Sequence, residues 1–331
     1  MPKSKNGYRV AVVNPQTLVG GELKSLLHER GVHFAGIRLL DSTGENEGTL
    51  TDMGDEAAVV NEISDLELED LDVVFFCGRA AKNAQWIEKS AALGFLAMDL
   101  SRDREPSQSD TPLVANLNAG SAAQEAGAVV APHPVTIPLA LVLDRIRGLS
   151  PIELCTATVV QPASEFDKEG VDELFQQTIQ SLNLQSLSTD VFARQIAFNL
   201  FPAPSADSAE AQVETELRSI LGVTVAVSLV QGSTFHGHSF SIFVRTKEPL
   251  ETEAIRAALG ASPAIEAVDE ESGSTVDAGT KDSVLVGRVK RDDAVPNGIW
   301  IWAVCDNLRR GSALNALLVA ETMFNDFSWA N

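Results

Sequence analysis

The chain has 331 residues, enough for two domains of ordinary size, and 44% of them are hydrophobic, enough for real cores. With 25 Lys and Arg against 46 Asp and Glu, its formal net charge of −21 argues against nucleic-acid or anionic-membrane partners. No run of 18 apolar residues occurs and the opening MPKSKNGYRV has no signal-peptide core, so a soluble cytoplasmic protein is expected; Cys77, Cys155 and Cys305 suggest neither a disulfide framework nor a metal site.

Tyr8–Val13 reads as a buried strand. It runs into Asn14-Pro15-Gln16-Thr17-Leu18-Val19-Gly20-Gly21, then a helix to about Glu29 closed by Gly31. Phe34–Leu40 is a second strand, followed by Asp41, which completes the opening β-α-β of a dinucleotide-binding fold. Phosphate turns use glycines so that backbone N–H groups can approach a pyrophosphate. Here Asn14 and Thr17 stand where glycine is expected, and only Gly20 and Gly21 remain. Two readings stay open: a turn that holds NADP or NAD, and an ordinary strand–helix turn that holds nothing.

Thr43–Gly54 is polar and reads as a loop. Leu71–Phe76 is a strand ending at Cys77-Gly78, Ala80–Leu93 a helix, and Phe95–Met98 a strand. Arg102–Pro112 is a charged loop, Leu113–Ala115 is extended, and Ala119–Ala126 is helical. This βα alternation indicates a mostly parallel sheet. Val129 and Val130 end another strand, stopped by Pro132 and Pro134. Thr136 is then the expected cap of a helix over Ile137–Ile146 with an apolar stripe, and Pro138 falls in its first turn, where a missing N–H costs little. Strand–turn–helix junctions of this kind commonly expose a nucleophile in α/β enzymes. This one holds Pro-His-Pro-Val.

After Gly148 the pattern changes. Strands are expected at Ile152–Val160 (reaching Gln161), Val223–Val230, Phe240–Val244, Val284–Val289 and Ile299–Val304. Helices are expected at Val171–Leu182, Ser208–Leu221, Leu250–Leu259 and Ser312–Phe327. Thr189–Pro204 reads as irregular, and Pro202–Ser208 and Gly273–Lys281 as polar loops. Grouped strands and helices suggest an α+β domain with a largely antiparallel sheet.

The order of motifs resembles the aspartate-semialdehyde dehydrogenase family along essentially the whole chain. The residues that carry the resemblance are Val19-Gly20-Gly21-Glu22, Gln161 with Gly170-Val171-Asp172-Glu173-Leu174, Gly237-His238-Ser239, and the most specific run, Asp306–Ala316 (DNLRRGSALNA). The resemblance implies a Rossmann-like NAD(P)-binding domain from residues 1–133 plus 312–331. It also implies a dimerisation domain from 134–311, and a homodimer.

The family's chemistry needs a thiolate, an acid/base histidine, NADP, phosphate and cationic clamps. Carried over residue by residue, the nucleophile falls at Pro134, which has no reactive group. Gln161 matches the glutamine beside the cysteine and His238 the catalytic histidine; each is equally readable as structural. The carboxylate-binding arginine becomes Gln231. A helical Glu-x-x-Lys pair falls at Ala209 and Gln212, with Glu210 adjoining. The phosphate arginine corresponds to Arg104 or Arg102, either of which also reads as a solvated loop charge. Cofactor contacts fall at Asn14, Gln16, Thr17, Leu18, Val19, Gly20, Cys77, Gly78 and Asn315. His133, in its Pro-His-Pro turn, reads as a turn histidine, and His236-Gly237-His238 without a third ligand as no metal site.

The losses fall together on chemistry while the frame-like motifs persist. The resemblance thus narrows to the Usg-type branch, whose members look catalytically incomplete, with a binding or assembly role and a small acidic metabolite as ligand. An oxidoreductase that uses NAD(P) and His238 without a covalent intermediate is the alternative. A third reading gives the lost thiol's task to Cys77.

Overall fold

The computed structural model describes residues 7–30, 34–54, 56–78, 83–101, 112–121, 127–203, 209–269 and 273–324. The chain forms two compact units, 1–132 with 312–331, and 133–311.

In the first unit, β1 (Tyr8–Val13), α1 (Leu18–Glu29) and β2 (Phe34–Asp41) are followed by β3 (Leu50–Met53), β4 (Glu56–Glu62) and α2 (Asp65–Leu68). Then come β5 (Val73–Phe76), α3 (Asn83–Glu88), α4 (Ser90–Leu93), β6 (Leu96–Asp99) and β7 (Gly127–Val130). The sheet order is β3-β4-β2-β1-β5-β6-β7, and every pairing is parallel except the β3–β4 hairpin. Alternate residues of β1 feed two cores. Val10 and Val12 pack with Leu23, Leu26 and Leu27 of α1, and Ala11 and Val13 pack with Leu68, Ile87 and Phe95. A strand buried on both faces must be apolar throughout, which is why YRVAVV is legible as a central parallel strand.

One expectation changes here. The stretch 43–54 is not all loop, because β3 closes a hairpin onto β4. Of the helix expected over 119–126, Ala119–Ser121 form a turn of 3-10 helix and residues 122–126 lie outside the described residues. Arg102, Arg104 and the rest of the charged loop to residue 111 lie outside the described residues.

The second unit holds α5 (Thr136–Arg147), β8 (Ile152–Gln161), α6 (Asp167–Leu182), β9 (Phe201–Pro202), α7 (Ala209–Leu221), β10 (Ala226–Gln231) and β11 (His238–Thr246). It continues with α8 (Thr252–Gly260), β12 (Ile265–Ala267), α9 (Thr275–Ala278), β13 (Val284–Arg291) and β14 (Gly298–Cys305). The final helix, α10 (Leu314–Phe324), returns to the first unit, where Leu314, Leu317 and Ala320 join the core beside α1. The sheet order is β12-β13-β14-β11-β8-β10-β9; β12–β13 and β8–β10 are parallel and the other four pairings antiparallel. The expected largely antiparallel α+β sheet is therefore present. Within the stretch read as a polar loop, 273–281, sits α9, closed at its start by a capping box between Ser274 and Asp277.

The first two turns of helix α5 are enclosed all round rather than striped, and only its last turn carries the charged Asp144, Arg145 and Arg147. Thr136 to Leu143 are all buried, as expected of a helix enclosed within a domain rather than lying on its surface. Thr136 does not cap it. Val135 occupies the N-cap without a side-chain bond, and the Thr136 hydroxyl donates instead to the Glu216 carboxylate on α7. Glu216 also accepts the His133 backbone N–H at 2.9 Å and the Gln212 side-chain amide at 2.9 Å. The Pro-His-Pro turn is thereby fastened to α7.

Candidate functional site

In the first unit, β1 ends at Asn14, which takes the left-handed conformation (φ 57°) that a glycine would otherwise supply. The Asn14 side chain ties three strand ends together. Its Nδ2 donates to the Cys77 carbonyl at 3.1 Å and to Ser42 Oγ at 3.0 Å, and its Oδ1 accepts the Ser42 N–H at 3.0 Å. Thr17 caps α1. Its hydroxyl accepts the Gly20 N–H at 3.1 Å and donates to the Asn14 carbonyl at 2.9 Å. A Cβ on Gly20 would come within 2.5 Å of the Asn14 carbonyl oxygen, so the close strand–helix approach of a dinucleotide turn is kept. Gly78 leaves β5 with φ +67°, and a Cβ there would meet the Thr17 methyl at 2.5 Å. The turn thus keeps the tight strand–helix approach of a dinucleotide turn, with the Asn14 and Thr17 side chains standing where glycines leave room.

The other expected cofactor residues divide. Gln16, Leu18 and Val19 are half-buried within this turn, and Gln16 reaches Thr49 Oγ1 at 3.3 Å. Cys77 is fully buried. Asn315 lies in α10 and engages backbone alone, accepting from the Ala115 N–H at 2.9 Å and donating to the Leu113 carbonyl at 3.0 Å. Asp41 is fully buried. Burial opposes its ionisation, but hydrogen bonds from Thr43, Asn46 and Gly44 outweigh this and hold its carboxyl below the usual range.

In the second unit, three expected residues come into one row. Gln231 of β10 pairs with Gln161 of β8. His238 opens β11 one residue before the Ser239↔Val160 pair, so it continues that row on the far side of Gln161. Strand β11 therefore starts earlier than the sequence suggests, and His238 is a strand residue rather than part of a turn. The two preceding rows on the same face are apolar: Leu229, Val159, Phe240 and Val227, Ala157, Ile242. The polar row therefore marks the end of the core.

Gln231 and His238 have no exposed surface, and Gln161 is 6% exposed. The Gln231 amide nitrogen donates to the Gln161 carbonyl at 3.1 Å and the Gly232 carbonyl at 3.2 Å, while its Oε1 has no partner. His238 Nε2 lies 3.3 Å from Glu165 Oε1, but the direction misses a hydrogen bond, and neither ring nitrogen has one.

Two residues not singled out from the sequence complete this cluster. Asn307 accepts the Gly237 N–H at 2.9 Å and donates to Ser164 Oγ at 3.0 Å and to Glu165 Oε1 at 3.3 Å. Asn307 lay within the Asp306–Ala316 run; nothing local marked Glu165. Pro134 is buried at the α5 turn, where its carbonyl oxygen would stand 3.2 Å from a Cβ on Gly311. Glu210 lies apart from the row, its carboxylate accepting the Leu229 N–H at 2.7 Å. His236 is exposed at the surface, and partial desolvation lowers its pKa against the raising field of Asp306. Of the thiols, burial pushes Cys155 up to about 12. Burial and the Asp306 charge push Cys305 up further still, against the opposing charge of Arg310.

Residues 9–126 match the family model of the semialdehyde dehydrogenase NAD binding domain, and residues 145–310 that of the semialdehyde dehydrogenase dimerisation domain. A USG-1 protein homolog from Pseudomonas aeruginosa is 31% identical over 96% of this chain and 98% of its own. An aspartate-semialdehyde dehydrogenase from Rickettsia bellii is 27% identical over 97% and 98% of the two chains. Among solved structures, aspartate semialdehyde dehydrogenase II from Vibrio cholerae superposes with a TM-score of 0.90 at 28% identity, covering 97% of this chain and 99% of its own.

Proposed function

The chain belongs to the aspartate-semialdehyde dehydrogenase family, and from that membership we propose a homodimer that lacks the phosphorylating dehydrogenase reaction and serves in binding or assembly. The observation that carries this reading is Pro134 at the α5 turn. Covalent catalysis on an aldehyde needs a nucleophilic atom there, and a pyrrolidine ring offers none. Neither Cys155 nor Cys305 substitutes, because both thiols are buried and held protonated. Two further losses support the reading. Gln231 and Gln212 stand at cationic positions, and their amides are engaged with backbone carbonyls and with Glu216.

Pro134→Cys alone is therefore expected to leave phosphate-dependent oxidation of aspartate semialdehyde at the level of a no-enzyme control. Turnover clearly above that control would show that the positive charges are dispensable and would overturn the reading.

When bound, a nicotinamide dinucleotide supplies or accepts hydride; the residues that would hold it are the turn Asn14–Gly20 and Gly78. Asp41 ends β2, and the loop after it carries Glu45 and Glu47 and no Lys or Arg through Leu50. A 2′-phosphate normally requires a cation at that place. Calorimetry is expected to show NAD binding more tightly than NADP. Equal or tighter NADP binding would remove this account of the loop.

A second reading is favoured by the contact between His238 and Glu165. An imidazole with a carboxylate 3.3 Å from Nε2 can hold and deliver a proton, as direct reduction of a carbonyl demands. Tight NAD binding, together with reduction of an aldehyde panel that His238→Asn abolishes, would place this reading first.

A further inference from the structure

In the buried polar row at the end of β10, β8 and β11, Gln231 presents a hydrogen-bond acceptor where an acid-binding site would present a donor. The Gln231 side chain fixes the sign. Amide oxygen and nitrogen are assigned from their surroundings, and here both neighbours of the nitrogen are carbonyl oxygens, of Gln161 and Gly232. A flipped amide would set oxygen against oxygen twice. The nitrogen must therefore face the backbone, which leaves Oε1, fully buried and unpartnered, turned away from it.

A buried acceptor without a donor costs roughly 1–3 kcal/mol, and it is not alone. Both ring nitrogens of His238 and the Thr234 hydroxyl also have no hydrogen bond and are shut off from solvent. These groups belong to one structure. The segment after Gln231 runs beside the segment after Gln161, through Gly232 N–H to the Gln161 carbonyl at 2.9 Å, Ala163 N–H to the Thr234 carbonyl at 2.8 Å and Ser164 N–H to the Phe235 carbonyl at 3.1 Å. Neighbouring strands stand about 5 Å apart, so the Gln231 and His238 backbones lie about 10 Å apart with Gln161 between them, and side chains of that length can reach one small group from both sides. Unsatisfied buried groups in such number call for an explanation.

We propose that this row binds a small molecule by a primary carboxamide, its NH2 donating to Gln231 Oε1, and that it discriminates against the corresponding carboxylate. The carboxamide supplies the donor that Gln231 lacks and an acceptor for a His238 N–H. A carboxylate would set a negative oxygen against the amide oxygen. The proposal rests on the reading of this chain as a binding protein, and it replaces the acidic ligand expected from the sequence by a neutral amide.

The test uses matched probes on the full-length protein: L-asparagine against L-aspartate, and succinamate against succinate. Each pair differs only in NH2 for O−. Calorimetry is expected to show the amide member binding at least about tenfold more tightly, as for a site built to pair a particular polar group. Gln231→Met is expected to erase the difference, and Gln231→Arg to reverse it. The wild-type comparison stands by itself should either variant fail to fold.

Equal or tighter binding of the carboxylate members overturns the proposal. Absence of binding by every probe overturns it too, and assigns the orphaned atoms to trapped water alone. Sedimentation of the same sample separates the two claims. A dimer that binds no probe loses only the ligand, whereas a monomer removes the assembly reading whatever it binds.

Discussion

Glu216→Ala lowers the unfolding free energy by about 3 kcal/mol, a large loss by the standard of single substitutions. The expectation follows from what one carboxylate holds. It accepts from the His133 backbone, the Thr136 hydroxyl and the Gln212 amide while only 6% exposed. Alanine leaves three donors without an acceptor, two of them in the buried turn that starts α5. Each unsatisfied buried group costs about 1–3 kcal/mol, reduced where water can enter. Glu216→Gln keeps one acceptor oxygen and should fall between the two. Chemical denaturation monitored by tryptophan fluorescence measures the change. A loss under about 0.5 kcal/mol, the range of ordinary surface substitutions, would mean that the turn does not depend on α7.

Thr158→Arg is expected to convert the proposed homodimer, of about twice 35.3 kDa, to a species of 35.3 kDa in sedimentation. The sheet of the second unit carries α5, α7 and α8 on one face. Its other face shows two cross-strand rows: Ser228, Thr158, Ser241, Trp302, Arg288, and Ala226, Thr156, Phe243, Trp300, Lys290. Leu154, 42% exposed, and Trp300, 39% exposed, are unusually large apolar groups to leave in water. The two tryptophans are fixed by their indole N–H groups, Trp300 to Asp292 at 2.8 Å and Trp302 to the Gly273 carbonyl at 2.7 Å, beside a hollow of about 440 Å³.

A second copy of this chain is the occupant that the matched dimerisation domain indicates. A stable pair buries about 800 Å² on each partner, and arginine on this sheet face would bring like charges together across the two-fold axis of such a pair. The dissociation constant should rise at least a hundredfold, by roughly 3 kcal/mol. Leu66→Arg, at a residue 73% exposed on α2 of the first unit, is the control expected to remain dimeric. Wild-type protein sedimenting at 35.3 kDa would refute the pairing.

Much of the frame was legible because its signals are local. Strand β1 and helix α1 follow from apolar runs set between turn residues, and Gly222 ends α7 with φ +68°. The β3–β4 hairpin escaped because LTDM and EAAVVNE lie at the sheet edge, half exposed, without a clean alternation. The site divided along the same line. Gln161, Gln231 and His238 were found by motif and do share a row. Glu165 and Asn307 were missed because their role depends on a contact between segments 142 residues apart, which no spacing rule reaches. Thr136 shows the opposite error: a residue type suited to capping was drawn off by a buried carboxylate 80 positions later.

Asn14 has a consequence for how ligands would be felt. Glycine-rich turns keep conformational freedom that a bound phosphate must remove, and that lost entropy sets part of the affinity. Here one asparagine side chain already fastens the ends of β1, β2 and β5 to each other. A nucleotide arriving at this turn would find little motion left to quench. The same lacing leaves little slack through which occupancy at this end of the sheet could be signalled elsewhere by a change in order.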